Sequence, residues 1–498
     1  MYLGIDLGTS EVKVALVEPS GAGQRVVAVG RAALDVARPH PGWSEQDPAH
    51  WIAGAEAAIA EIRAGHAAGL AAVTGIGLSG QMHGAVLLDA ADRVLRPAIL
   101  WNDTRAEAEC AVLEARVPSS RQLTGNRAMP GFTAPKLLWV AEHEPELFAR
   151  VAKVLLPKDY LRLWLTGEHV SDMSDASGTL WLDVGQRAWC DPMLAATGLD
   201  RSHMPRLVEG AAPGGALRAE LARGWGITGA VCVAGGGGDN AASAVGLGVI
   251  AEGQGLVSLG TSGVVFVVND AYRPAPARGV HAFCHALPRA WHQMAVMLSA
   301  ASCVRWAAQL TGAADEAALV AAAESLDPGG RARAPVFLPY LSGERTPHAD
   351  ALARGVWFGL DHDTDRAQLG YSVLEGVAFG LTDGLAAVQE AGGAPRALSL
   401  TGGGSRSRFW AQLIASAFDL PLAVRAGGEV GAALGAARLG QLAADPGADL
   451  AAVCPPPPVV AMAEPVAAWQ PDLQARLARF RALYPTLRPL FRSDRSVP

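Results

Sequence analysis

The chain is poor in cysteine and has no cysteine pair. Cys110, Cys190, Cys232, Cys284, Cys303 and Cys454 lie far apart, and none forms a CxxC unit. That argues against a zinc ribbon and against a thioredoxin-type redox motif. A disulfide scaffold is not expected at this size, and reduced thiols in a cytoplasm are the simpler expectation. No apolar run reaches the roughly 18 residues that span a bilayer. The N-terminus opens on a strand-like run, with no basic region or cleavage signal. There is no Lys/Arg-dense block, and 41 basic against 48 acidic side chains leave a formal charge of −7. Nucleic acid is therefore a poor candidate partner, because phosphate binding needs concentrated positive charge. The GxxxxGK[ST] string of P-loop proteins is also absent. The expectation is a soluble cytoplasmic protein with neither nucleic acid nor membrane as a partner.

What the chain does have is apolar material: 50% hydrophobic and 18% charged residues over 498 positions. That supports large buried cores and excludes disorder for most of the length. Length alone suggests about two to four domains. Tyr2–Asp6 and Glu11–Val17 read as strands joined by Gly8-Thr9-Ser10, a β-hairpin. Val26–Ala33 reads as a third strand, Pro48–Ala68 as an amphipathic helix and Val73–Leu78 as the next strand. Leu256–Leu259 and Val264–Val268, joined by Gly260-Thr261-Ser262-Gly263, repeat the opening hairpin. An echo at this distance points to two similar α/β domains, with a boundary near 245–255, rather than to a short-period solenoid. Pro455–Pro458 reads as a surface loop, and Trp469–Leu490 as a helix interrupted at Pro485.

The candidate chemistry sits in the turns. Asp6-Leu7-Gly8-Thr9-Ser10 with Lys13 sets a carboxylate at a strand end beside glycine, two hydroxyls and a cation. Such a turn can meet phosphate, and Asp6 can hold hydrated Mg²⁺; an ordinary hairpin turn has the same composition. Gly260 and Thr261 repeat the chemistry, and paired turns suit a polyphosphate clamped between domains. Gly235–Gly238 are not expected to serve packing and fit a sharp turn or close ligand approach. Asp239 follows them, placed either as a general base toward a substrate hydroxyl or as a helix N-cap. Asn240 could bond a second hydroxyl. Gly402-Gly403-Gly404 lies between a strand and a helix, a place where nucleotides pack. Ser79–Gly84 carries Met82 and His83, and Trp101-Asn102-Asp103-Thr104-Arg105 joins an aromatic to polar groups, as polyol sites do; Asn102 or Asp103 as a helix N-cap is the structural alternative. His281, Cys284 and His285 lack a fourth ligand, so a metal site there is not expected.

With these residues collected, the chain resembles the FGGY carbohydrate kinases from Tyr2 to about Gly440. Gly4-Ile5-Asp6-Leu7-Gly8-Thr9-Ser10 is similar to the family's first phosphate motif and Gly260-Thr261-Ser262 to its second. Gly402-Gly403-Gly404-Ser405 is similar to its adenosine motif, and Gly237-Gly238-Asp239-Asn240 to its catalytic turn. Ser79-Gly80-Gln81-Met82-His83-Gly84 and Asn240 look like the branch acting on xylulose. The resemblance implies two ribonuclease-H-like, actin-like ATPase domains around a central cleft. Residues 1–248 would carry the sugar loop and the catalytic Asp, and 249–498 the nucleotide motifs. It further implies phosphorylation of D-xylulose by ATP with Mg²⁺. Asp239 would be the base. Met82, His83, Trp101, Asp239 and Asn240 would meet the sugar. Thr9, Ser10, Lys13, Gly260, Thr261, Gly402, Gly403 and Ser407 would meet the nucleotide, and Asp6 and, through water, Asp239 the metal. A homodimer is left open. Kinases of other ketopentoses or polyols, and a non-catalytic actin-like nucleotide-binding module, also stay open here.

Overall fold

The computed structural model describes residues 1–20, 23–426 and 428–493. The first sheet contains β1 (Tyr2–Leu7), β2 (Glu11–Ser20), β3 (Gly23–Ala33), β4 (Gly75–Gly80), β5 (Pro213–Ala216), β6 (Cys232–Ala234) and β7 (Gly237–Gly238). Its order is β5-β6-β4-β1-β2-β3, with β7 also on β4. The strands β1, β2 and β3 run antiparallel, as tight connections require, whereas β4 is parallel to β1, β6 and β7. Helix α1 (Pro48–Ala71) provides the crossover to β4. It starts where Asp47 accepts from the Ala49 amide at 2.9 Å and Pro48 needs no partner. Two further helices matter below: α2 (Pro157–Thr166) and α3 (Asp239–Gly246).

The second sheet repeats the plan. It holds β8 (Gln254–Leu259), β9 (Gly263–Asn269), β10 (His281–Cys284), β11 (Trp291–Met297), β12 (Ala397–Thr401), β13 (Leu422–Arg425) and β14 (Val459–Ala463), in the order β10-β11-β9-β8-β12-β13-β14. The runs β3-β2-β1-β4-β6 and β11-β9-β8-β12-β13 have the same strand order and directions. The echo of the two Gly-Thr-Ser hairpins is thus a repeat of fold. Five more helices follow, α4 (Ala301–Thr311), α5 (Arg366–Glu390), α6 (Arg408–Phe418), α7 (Gly431–Ala444) and α8 (Gln470–Leu487), and all but α7 lie around the second sheet. Helix α8 runs through Pro485 without a break and ends two residues later. The expected interruption is absent because a proline so near the C-terminus removes little of the hydrogen-bond ladder.

Three apolar clusters hold these layers together. Leu3, Ile5, Val14 and Leu16 pack on Trp51, Ile59 and Ile62 of α1. Val257, Leu259 and Val265 pack on Leu374, Val377 and Leu381 of α5. A third cluster joins Leu137, Val140 and Trp181 to Phe266, Phe283 and Val296, so the segment inserted between β4 and β5 leans on the second sheet.

Helix α7 comes between β13 and β14 of the second sheet in sequence but lies on the first sheet. A β-carbon at Gly77 of β4 would overlap the Ala436 carbonyl, and one at Gly435 would overlap the Ala242 carbonyl of α3. Backbone therefore touches backbone across the α3–α7 crossing, with no room for a side chain. We expect Gly435→Val to cost at least about 2 kcal/mol by overpacking; thermal unfolding followed by circular dichroism would register a Tm lowered by several degrees.

Candidate active site

The parallel register of the first sheet gathers three strand ends. Asp6 of β1 and Gly237 of β7 both stand opposite Ser79 of β4, one on each side. Carboxyl ends of parallel strands are where α/β sheets take ligands. The chain leaves β7 directly into α3, with Gly238 at the cap position and Asp239 as first helical residue. Asp239 is therefore not the N-cap. The backbone amide of Asn240 donates to Asp239 Oδ1 at 2.7 Å, and its Nδ2 donates to the same oxygen at 2.9 Å. Among the described residues Oδ2 has no hydrogen-bond partner. Burial, and secondarily the Asp6 charge, push the Asp239 carboxyl up to about 6, against the opposing pull of the Asn240 amide. Burial also raises Asp6, partly offset by Ser79 and Lys13.

Gly235 and Gly236 serve packing, contrary to the expectation from composition, and Gly236 at φ 76° also makes the sharp turn that was expected. A β-carbon at Gly235 would overlap the Glu209 carbonyl, and one at Gly236 the Leu78 carbonyl. The turn threads between neighbouring backbones, and the approach it permits is that of the protein to itself.

Beyond β4, the loop Gln81–Gly84 is held from several sides. Met82 is buried against Gly238 and Gly178. His83 adopts φ 71°, a left-handed conformation that is strained for a side chain with a β-carbon. Its Nδ1 lies 2.7 Å from the Gly178 carbonyl, so Nδ1 carries the proton and Nε2 is left as an acceptor. Burial lowers the imidazole to about 3, with Lys136 and Arg345 adding repulsion, and the ring stays neutral. Phe132 meets the ring edge-on at 4.7 Å.

The first hairpin turn faces its own domain. Thr9 Oγ1 donates to Gln81 at 3.0 Å and accepts from Trp101 Nε1 at 3.0 Å. Trp101 is 44% exposed, so its indole forms a surface held by its nitrogen. Ser10 is exposed, and its carbonyl accepts from Leu34. Lys13 pairs with Glu11 at 3.1 Å, and Arg31 meets the same carboxylate. Asp103 accepts from the Ser44 amide at 2.6 Å and pairs with Arg105 at 2.7 Å; no side chain caps the helix after it.

The second sheet presents Gly260 at the end of β8 and Thr401 at the end of β12. Carbonyls of Gly260 and Thr261 accept from Ala301 and Ala300 at the start of α4, and Thr261 is exposed. Gly402 has φ 90°, and Ser407 caps α6 by accepting from the Trp410 amide at 3.1 Å. A cavity of about 1090 Å³ opens here, lined by Gly402, Gly403, Arg406, Arg425 and Met462 among others. Neither Asp6, His83 nor Asp239 lines it. His281 and Cys284 sit on β10 with His285 just beyond, and the three do not converge as ligands among the described residues.

Two supporting residues escaped the sequence reading. Lys136 is fully buried and donates to the carbonyls of His83 and Gly131, both at 2.8 Å, while Thr133 also donates to His83. Burial pulls its amine down to about 7. A lysine set among the apolar residues of 134–141 was the available signal. Gln46 has no such signal. It donates to the Thr9 and Asp35 carbonyls at 2.8 and 3.0 Å, and accepts from Trp51 and Gln81 at 3.0 and 2.9 Å.

Comparison with known proteins agrees with this architecture. Residues 1–246 match the N-terminal domain model of the FGGY family of carbohydrate kinases, and 255–444 match its C-terminal domain. The chain is 53% identical to the xylulose kinase of Escherichia coli K12, over 98% of this chain and all of that one. It is 51% identical to that of Klebsiella pneumoniae, over 98% and 100% of the two chains. The crystal structure of a xylulose kinase from Brucella ovis superposes with a TM-score of 0.94 at 54% identity, covering 98% of this chain and 99% of the other.

Gln46→Leu would strip the partners from four groups around the first turn. We expect a loss of about 2–4 kcal/mol, measurable as a lowered urea midpoint at unchanged slope.

Proposed function

The chain belongs to the FGGY family of carbohydrate kinases and is a sugar kinase; from that premise we propose that it transfers the γ-phosphoryl group of ATP to D-xylulose, giving D-xylulose 5-phosphate. The choice of sugar is supported by the xylulose kinases it resembles along nearly its whole length. One observation carries the chemical reading. Asp239 keeps one oxygen on Asn240 and the other without a hydrogen-bond partner among the described residues, at the strand ends beside Asp6. A carboxylate raised to about 6 is ionised at neutral pH yet basic enough to take a hydroxyl proton.

In this reading Asp239 orients the attacking hydroxyl and accepts its proton as the oxygen meets phosphorus in line. His83 Nε2 accepts from a second sugar hydroxyl, while Asn240, Met82 and Trp101 border the same sugar. Gly402 and Gly403, lining the large cavity, take the adenosine end with Ser407. Gly260, Thr261, Thr9, Ser10 and Lys13 approach the phosphates. Asp6 and Asp239 offer an oxygen-only donor pair, and both carboxyls are raised by burial. That set fits Mg²⁺, a hard cation, and Asp6 and Asp239 would hold it. When bound, the ion supplies neutralisation of phosphate charge. Positioning and electrostatics then account for most of the acceleration.

An ADP-coupled assay across D-xylulose, D-ribulose and the pentitols tests the sugar. D-xylulose should lead in kcat/KM by at least about tenfold; a clear preference for another sugar would replace the proposed substrate. Asp239→Asn should lower kcat by about a thousandfold. Wild-type kcat/KM should rise with pH through about 6 and then level, because the base works only when ionised. Wild-type turnover in Asp239→Asn would sink the general-base role.

A further inference from the structure

Beneath the Gly-rich turn lies a group of charges that no proposed step uses. Lys158, Asp159, Arg162, Asp172 and Asp175 are all fully buried. Lys158 Nζ lies 2.5 Å from Asp159, 2.8 Å from Asp172 and 3.3 Å from Asp175, and Arg162 lies 2.7 Å from Asp159. Burial pushes Asp175 well above the usual carboxyl range. Burying ions is costly, and apolar residues of equal volume would often serve stability better. The contacts of this group with the main chain give it another use.

Both ends of the turn are gripped. Arg162 donates to the Ala234 carbonyl at 3.3 Å and to the Gly235 carbonyl as well. At the other end the Gly238 amide donates to Ser174 Oγ at 3.1 Å. Ser174 Oγ in turn donates to Asp172 Oδ2 at 2.5 Å, and the same carboxylate oxygen takes the Ser174 amide at 2.7 Å. Asp172 is tied to Lys158 through its other oxygen. Gly238 directly precedes Asp239, and a glycine run has little stiffness of its own.

We propose that Ser174, oriented by Asp172, is a positioning residue for phosphoryl transfer: its hydroxyl holds the Gly238 amide and so sets the place of the Asp239 carboxylate. The proposal rests on the reading of Asp239 as the general base. A small displacement of a base from its hydroxyl weakens the chemical step more than it weakens binding.

Steady-state kinetics on purified full-length variants test it. Ser174→Ala should lower kcat roughly tenfold or more, with the KM values for D-xylulose and ATP within about twofold and Tm within a few degrees. Ser174→Thr, which keeps the hydroxyl, should restore kcat to near wild type. In an Asp239→Asn background, Ser174→Ala should lower the residual rate no further. Unchanged kcat in Ser174→Ala, a Thr variant as slow as Ala, parallel losses in kcat, both KM values and Tm, or a full additional loss in the Asp239→Asn background would each overturn the proposal. Asp239→Asn alone reports on the parent reading: full turnover there refutes the base, whereas a slow Asp239→Asn beside a normal Ser174→Ala refutes only the role of Ser174.

Discussion

The parallel pairing of β4 with β1 on one side and β7 on the other is the constraint on which the site depends. Parallel neighbours end at the same edge of a sheet, so the side chains leaving them converge. Asp6, Ser79 and the Gly238–Asp239 step meet because their registers agree, although they are far apart in sequence. Burial at this edge holds both carboxyls above the ordinary carboxylate range, and the Asp6 charge adds to the shift of Asp239. The Asn240 amide and Lys13 oppose the shift without cancelling it. The proposed base and the proposed Mg²⁺ ligands both lie at this edge.

That arrangement is kept in place by layers lying further from the chemistry. Lys136 and Thr133 hold the His83 carbonyl, and the Gly178 carbonyl selects the imidazole tautomer. Arg162 and Ser174 hold the glycine turn. Helix α7 covers the far side, seated so closely on Gly77 and Ala242 that backbone is the contacting surface. Most of these are hydrogen bonds from buried side chains to main-chain groups. Such bonds define backbone position closely, because a donor left unpaired in the interior is costly.

Much of the fold is legible in the chain. The two hairpins carry alternating apolar residues around Gly-Thr-Ser turns, and both appear as β1–β2 and β8–β9. Helix α1 announces itself through the apolar residues near helical spacing that follow Pro48. The α8 reading erred at Pro485 because only proximity to the helix end makes that proline tolerable. The packing use of Gly235 and Gly236 was missed for a similar reason, although the sharp turn at Gly236 was read. Their neighbours, the carbonyls of Glu209 and Leu78, come from other strands and loops, and no local pattern names them. Gln46, Ser174 and Lys136 were invisible or faint because each works through main-chain atoms of distant segments.

Local patterning by itself determined the strands, the repeated hairpin, the glycine-flanked turns and the residue types able to do chemistry there, since each follows from spacing over a few positions. Tertiary structure alone decided which turns share a sheet edge, that Asp239 opens a helix rather than capping it, that one of its oxygens has no partner among the described residues, and which buried polar groups brace the site. Those outcomes depend on register, burial and long-range hydrogen bonds, and these come into being only when separate stretches of chain pack against one another.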